Sequence, residues 1–274
     1  MPTRAGVKLR PTTEREQLYH LVLELRKEGL SYNQIIRRIR TDKGITLRKS
    51  HISGWVTGEH RPYGYVRAFD GVPSSELAYV IGVRLGDASM SVSRSYNYKI
   101  KLRVIDKEFA QEFSRCLSVI LGRSPPRVKW REKTHSWHTE VSSMLLQSLL
   151  KRPLEELKEV IEHCKACVGA FLRGFFDSEG WVHEFQLGVA NTNKAVLLYV
   201  LFLLETKFGE RTLGPRVTSK GGRMVMIKGE LYHANKDCYA LYVDRRFLAS
   251  YQSYVGFTII RKQQRLAAAV ARLP

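Results

Sequence analysis

Apolar residues recur along the chain at two periods. In EREQLYHLVLELRKE (14–28), Leu18, Leu21, Val22 and Leu25 fall on one face of a predicted helix, which Gly29 ends. Ser31 is placed to cap a second helix, whose stripe is Ile35, Ile36 and Ile39 and which breaks at Gly44. A third, short helix turns Ile52, Trp55 and Val56 inward and stops before Gly58. The segment RPYGYVRAFDGVPSS (61–75) carries the Pro and Gly of a connector. Beyond it the period shortens to two. In YNYKIKLRVI (96–105), Tyr96, Tyr98, Ile100, Leu102 and Val104 alternate with Asn97, Lys99, Lys101 and Arg103, which predicts a strand with one apolar and one basic face. RVKWR (127–131) does the same, with Arg127, Lys129 and Arg131 opposite Val128 and Trp130.

Two apolar segments fit neither pattern. VIGVRLGDAS (80–89) and LRGFFDSEGW (172–181) read as helices with small residues four apart, Gly82 and Gly86 in one, Gly174 and Ser178 in the other. Each ends in an acid, Asp87 and Glu179, 92 residues apart. Fainter echoes follow: a strand leads to Asp106-Lys107-Glu108-Phe109 in one copy and to Asn191-Thr192-Asn193-Lys194 in the other, and Pro126-Arg127-Val128 returns as Pro215-Arg216-Val217. A period near 90 residues implies two duplicated half-domains. Gly inside a helix costs about 1 kcal/mol relative to Ala, which is offset where two backbones must approach closely. An acid at a helix carboxyl end opposes the macrodipole, and packing the two small faces together would bring two such acids near each other. A divalent cation relieves both conflicts. Mg²⁺ favours a few carboxylates plus phosphate oxygens, and metal-assisted phosphodiester hydrolysis is the chemistry this supports.

Charge narrows the partner. Lys plus Arg number 45 against 26 Asp plus Glu, a net charge of +19 in 274 residues with 44% hydrophobic positions. That composition excludes intrinsic disorder and points to a polyanion, nucleic acid first. Residues 1–70 hold 14 Lys/Arg and 7 Asp/Glu, so both ends are basic. No apolar run reaches the ~18 residues of a membrane span, and the opening residues MPTRAGVKLR lack a signal-peptide core. Four cysteines make no disulfide framework, which suggests a reducing, cytoplasmic setting.

The paired segments resemble the LAGLIDADG motifs of homing endonucleases in their single-chain, two-repeat form, over about residues 74–270. The resemblance implies an α+β fold of two pseudo-symmetric αββαββα half-domains, residues 66–165 and 166–274, whose saddle-shaped antiparallel sheets lie in a DNA major groove. It implies metal held by Asp87 and Glu179, with Gly86 and Ser178 beside them, and Mg²⁺ or another divalent cation as cofactor. Asp177 matches an earlier acidic position of mainly structural role, where copy one has Leu85, and Arg84 stands where the family is apolar. Asp106 and Asn191 match the polar positions that order water near the scissile phosphates, although both also suit helix N-caps. Lys107, Arg261 and Lys262 are candidates for a charge-neutralising base, yet the position matched most closely is Ile260.

The DNA-facing candidates are Lys99, Lys101, Arg103, Arg127, Lys129 and Arg131 in copy one, and His183, Glu184, Gln186, Arg216, Lys220, Arg223 and Lys228 in copy two. GLSYNQIIRRIRTDKGITLRKSHISGWVTG (29–58) resembles the helix-turn-helix of recombinase-like and phage-type regulators. On that resemblance residues 1–65 are a DNA-binding domain, with Arg48, Lys49, Ser50, His51 and Ser53 outward on the reading helix; a three-helix adaptor is the alternative. The expected activity is site-specific, Mg²⁺-dependent double-strand DNA cleavage by a monomer. An intron RNA maturase, a regulator of the same fold and an inactive DNA binder are the alternatives. The ends, Met-Pro and Leu-Pro, lack the termini of protein splicing, so a free-standing, intron-encoded chain is expected. Cys164-x-x-Cys167 beside His163 falls short of the four ligands of structural zinc and is expected to pack on the helix leading to the second motif. Trp130, Trp137 and Trp181 suit base stacking or core packing, and QQRLAAAVARLP (263–274) reads as a capping helix.

Overall fold

The computed structural model describes residues 10, 12–62, 69–92, 97–227 and 230–273. Lys228, Tyr96 and residues 63–68 of the connector therefore lie outside the described residues. Contacts divide the chain into an amino-terminal unit, to residue 68 with residues 92–98, and a body formed by the rest.

The amino-terminal unit holds α1 (Thr12–Lys27), α2 (Tyr32–Lys43) and α3 (Lys49–Val56). The apolar stripes meet as expected in a core of Leu18, Val22, Leu25, Ile35, Ile39, Leu47, Ile52 and Trp55. Ser31 caps α2 reciprocally: its hydroxyl accepts from the Gln34 amide at 3.4 Å, and the Gln34 side-chain oxygen accepts from the Ser31 amide at 2.8 Å. Gly44 ends α2 at φ +64°, a conformation costly for any residue with a Cβ.

The body is written twice. The first copy runs α4 (Ser75–Leu85), β1 (Ser89–Val92), β2 (Tyr98–Val104), α5 (Lys107–Leu121), β3 (Lys129–Arg131), β4 (Ser136–Ser142), α6 (Met144–Leu150) and α7 (Leu154–Ile161). The second runs α8 (Lys165–Glu179), β5 (Gly180–His183), β6 (Gln186–Asn191), α9 (Lys194–Phe208), β7 (Thr212–Ser219), β8 (Arg223–Ile227), β9 (Glu230–Ala234), β10 (Cys238–Val243), α10 (Leu248–Tyr254) and α11 (Ile260–Ala271). The sheet orders are β1-β2-β4-β3 and β5-β6-β10-β7, the same order under the repeat. Each half thus ends in two helices where the pattern expected one, and the terminal helix begins at Ile260, three residues ahead of QQRLAAAVARLP. The second half also carries an antiparallel hairpin, β8–β9, where the first has one 3-10 turn; Met224, Met226 and Leu231 are exposed on it.

Helices α4 and α8 lie at the centre. Residues 77–83 are all buried, so α4 shows no amphipathic stripe. Phe171, Phe175 and Phe176 of α8 are fully buried, each stabilising by about 1.5–3 kcal/mol. The glycines set the approach. A Cβ on Gly82 would strike the Phe171 carbonyl and stand 2.8 Å from the Phe175 nitrogen; one on Gly174 would strike the Tyr79 carbonyl and stand 3.1 Å from the Val83 nitrogen. Because Phe171 corresponds to Tyr79 under the 92-residue offset, the contact is two-fold symmetric. Gly174→Ala is therefore expected to wedge the helices apart at a cost of about 1–3 kcal/mol, lowering the melting temperature by several degrees. A thermal melt unchanged from wild type would contradict the close approach.

Candidate active site and nucleic-acid interface

The helix pair ends where the acids begin. Asp87 follows Gly86 off α4, and Glu179 is the last residue of α8. A Cβ on Gly86 would run into the Ser178 side chain and stand 3.1 Å from Glu179 Cγ, so the carboxyl ends of α4 and α8 touch there. Asp87 keeps a path to solvent, but the protein around it pushes its carboxyl up to about 6. Burial pushes Glu179 up to about 7, and the Asp87 charge adds to the rise. The Lys262 charge opposes both shifts.

Three neighbours hold this pair. Asn191, at the end of β6, donates its amide to Glu179 Oε1 at 3.1 Å, while its own oxygen accepts from the Asn193 backbone at 2.8 Å. The cap of α9 is Asn193 rather than Asn191. Lys262, 6% exposed, donates to the Phe176 carbonyl at 3.1 Å and the Asp177 carbonyl at 2.6 Å. It fills the carboxyl end of α8, where a cation is favourable, and burial pushes it down to about 8. Asp177 is buried and accepts from the Tyr79 hydroxyl at 3.0 Å and from the backbone of Thr258 at 2.9 Å and Ile259 at 3.4 Å. Asp177 thus binds the approach to α11, while Leu85 offers copy one no counterpart.

Asp106 stands at the N-cap position of α5 but makes no capping bond. Arg261 takes both its oxygens, Nε at 2.7 Å and Nη2 at 2.8 Å. The Asp106 carboxylate is therefore already neutralised. Glu108 accepts from the Ile260 backbone at 2.9 Å, and the Ile260 side chain is exposed. The Lys107 ammonium lies 4.9 Å from the centre of the Trp137 ring. The pairing of residues 106 and 261 crosses the whole body, and no spacing in the sequence signals it.

The predicted basic face of the first sheet is assembled. Lys101, Arg103, Arg127, Lys129 and Arg131 line one groove of about 490 Å³. The face is not purely cationic: β4 places Glu140 opposite Lys101 and His138 opposite Arg103, and Lys99 pairs with Glu140 at 2.8 Å. In the second half, Gln186 and Arg216 line a wider concavity with Arg245 and Arg246, cations that the sequence reading missed. Arg246 is held by Asp244 at 2.7 Å, and Arg245 is exposed. His183 pairs with Gln186 across β5–β6, Lys220 and Arg223 are exposed around the start of the hairpin, and Glu184 sits at φ +50° in the β5–β6 turn. Trp130 is 39% exposed and contacts Trp137, whereas Trp181 packs on Gly188 and Tyr242. In the amino-terminal unit Arg48, Lys49, Ser50 and His51 are exposed at the start of α3, and the His51 ring stacks with Trp55. Among the described residues no helix is long and apolar enough to cross a membrane.

Two pseudo-symmetric α+β halves joined through a pair of acid-tipped helices define a two-repeat class. The LAGLIDADG-like domain model matches residues 166–256, and the chain belongs to the LAGLIDADG family. The uncharacterised protein MJ0398 of Methanocaldococcus jannaschii is 34% identical over 254 residues, covering 91% of this chain and 92% of its own. MJ0314 of the same organism is 30% identical over 174 residues, covering 59% and 63%. The structure of I-DmoI in complex with DNA and Ca is similar in fold, with a TM-score of 0.51 at 16% identity, covering 71% of this chain and 97% of that one.

Proposed function

We propose that the chain is a site-specific, divalent-metal-dependent double-strand DNA endonuclease of the homing type. The observation that carries this reading is the meeting of Asp87 and Glu179 at the ends of the paired helices. Their donor set fits a hard divalent cation: oxygen ligands and two like charges in a crowded place, with burial raising the proton affinity of both carboxyls. Asp87 and Glu179 would hold it, beside Gly86 and Ser178. There it supplies Lewis-acid stabilisation of a scissile phosphate and a more acidic bound water.

The chain's own groups do the rest. Asn191 fixes the Glu179 carboxylate, and Lys262 tempers the charge of the pair from behind. The cations of the first sheet's groove neutralise phosphates and meet guanine edges, and Arg216, Arg245 and Gln186 serve the second half. Both acids come from one chain, so a monomer is complete. The support for DNA over RNA is the I-DmoI complex; an intron maturase or a non-cleaving regulator is the rival. Incubation of the full chain with a randomised DNA library and Mg²⁺ tests this. Recurrent cut ends that vanish with a chelator are expected, and shifted but uncut DNA would favour a regulator.

Residues 1–65 are proposed as an added DNA-binding domain, the halves being 66–165 and 166–274. A chain starting near Val72 should cut the same bonds with a shorter footprint and affinity lower by ~10²-fold, since linkage makes the second contact intramolecular. An unchanged footprint would remove DNA from the role of α3.

The acids also predict a pH signature. Their folded affinity for protons exceeds the unfolded one, so stability falls as pH rises from about 4 to about 7. Mg²⁺ binds the deprotonated pair and should restore stability at about pH 8 while adding nothing at about pH 5. Equal thermal shifts at both pH values would place the ion elsewhere.

A further inference from the structure

His163, Cys164 and Cys167 meet at the start of α8, with their ligand atoms all within 4.8 Å of one another. The nuclease reading uses none of them. We propose that Cys164 and Cys167 are a redox-active dithiol, closed reversibly by the disulfide of a low-molecular-weight thiol carrier such as glutathione.

The two thiols have different surroundings. Cys164 is exposed, and Cys167 is buried. Cys164 is the N-cap of a 15-residue helix, and its sulfur accepts the Cys167 backbone N–H at 3.3 Å. The two sulfurs approach to 3.2 Å, and His163 Nδ1 lies 4.0 Å from Cys167 Sγ. These surroundings favour a thiolate on Cys164: a helix amino terminus, a backbone donor, the adjacent Cys167 sulfur and an imidazole. The hydrogen bonds from Cys167 push Cys164 below the ordinary thiol range, whereas burial pushes Cys167 above it. Glu76 of α4 faces Cys167 and raises it further. An accessible thiolate three residues before a shielded thiol is the arrangement of an attacking and a resolving cysteine.

The alternative is a soft metal ion. Thiolates on tetrahedral zinc, with bonds of about 2.3 Å, stand about 3.8 Å apart. The pair here is closer than that, and the cluster has three donors rather than four.

The exchange balances. The Cys164 thiolate attacks one sulfur of the carrier disulfide, forms a mixed disulfide and expels the first carrier thiolate. Cys167 gives its proton to that thiolate and attacks the Cys164 sulfur, which expels the second carrier thiolate. Two electrons pass from the protein to the carrier, and the carrier leaves as two thiols once the second takes a proton from water.

Reduced full-length protein incubated with oxidised glutathione, then mapped by peptide mass spectrometry, tests the proposal. Wild type should lose about 2 Da in a peptide linking residues 164 and 167, reversed by dithiothreitol. Cys167→Ala should trap one glutathione on Cys164, and Cys164→Ser should take none at either position. The wild-type reading does not depend on either variant folding. Two free thiols retained at 164 and 167 would overturn the proposal. So would stoichiometric zinc that survives dialysis and blocks both.

Discussion

On the proposed function, Asp87→Asn and Glu179→Gln are each expected to abolish double-strand cleavage and to leave DNA affinity nearly unchanged. Each removes one negative charge from the pair while keeping shape and hydrogen-bonding capacity. Metal stabilisation of a phosphoryl transition state is worth several kcal/mol, so the loss should reach ~10³-fold or more. On the proposed reading affinity is carried by other groups, chiefly the cations that line the first sheet's groove. Removing a carboxylate that faces phosphates relieves repulsion, so binding in the absence of metal should hold or tighten. The folded state should also gain: each acid is raised by burial, Glu179 further by Asp87, so neutralising either one stabilises the metal-free protein at about pH 8. Gel-shift, cleavage and thermal measurements on the same preparations separate these effects. Full cleavage by both variants would refute the assignment of the site.

Affinity for DNA is expected to fall steeply with salt. Five cations share one groove, Lys99 flanks it, and the chain carries a net charge of +19. With six to ten phosphates neutralised, each adds about −0.9 to the slope of log affinity against log salt, and affinity drops by about 10³–10⁵ between about 50 and 200 mM. Lys129→Ala or Arg131→Ala should flatten the slope by about one unit if that side chain meets a phosphate. A slope shallower than about −3 means that few phosphates are engaged, and the groove is then not the DNA surface.

How much of this could be read in the chain depends on range. The helix pair was legible because Gly82, Gly174 and the two terminal acids break the local rules of helix design, and a broken local rule points to a tertiary cause. The amino-terminal stripes and the alternation in β2 were legible because one face of each is buried. The hairpin β8–β9 was not, since Met224, Met226 and Leu231 are apolar yet exposed and give no alternation to read. The second helix at the end of each half went unread because α6 and α10 span only seven residues, fewer than periodicity needs. The site's supports lay further from view. Arg261 meets Asp106 across 155 positions, and Asp177 is held partly by main-chain amides of Thr258 and Ile259, which no side-chain pattern records. The cysteine cluster was visible as spacing, but its asymmetry of exposure was not.

The halves have diverged where they would face a ligand. One offers a narrow cationic groove, the other a wider concavity edged by Arg245 and extended by a hairpin. A homodimer with exact two-fold symmetry confines itself to palindromes, because both subunits ask the same question of each half-site. This molecule is freed from that constraint. On the proposed function, left and right half-sites of its target could drift apart in sequence independently, and a substitution in one sheet should re-specify one side while the other side is still read as before.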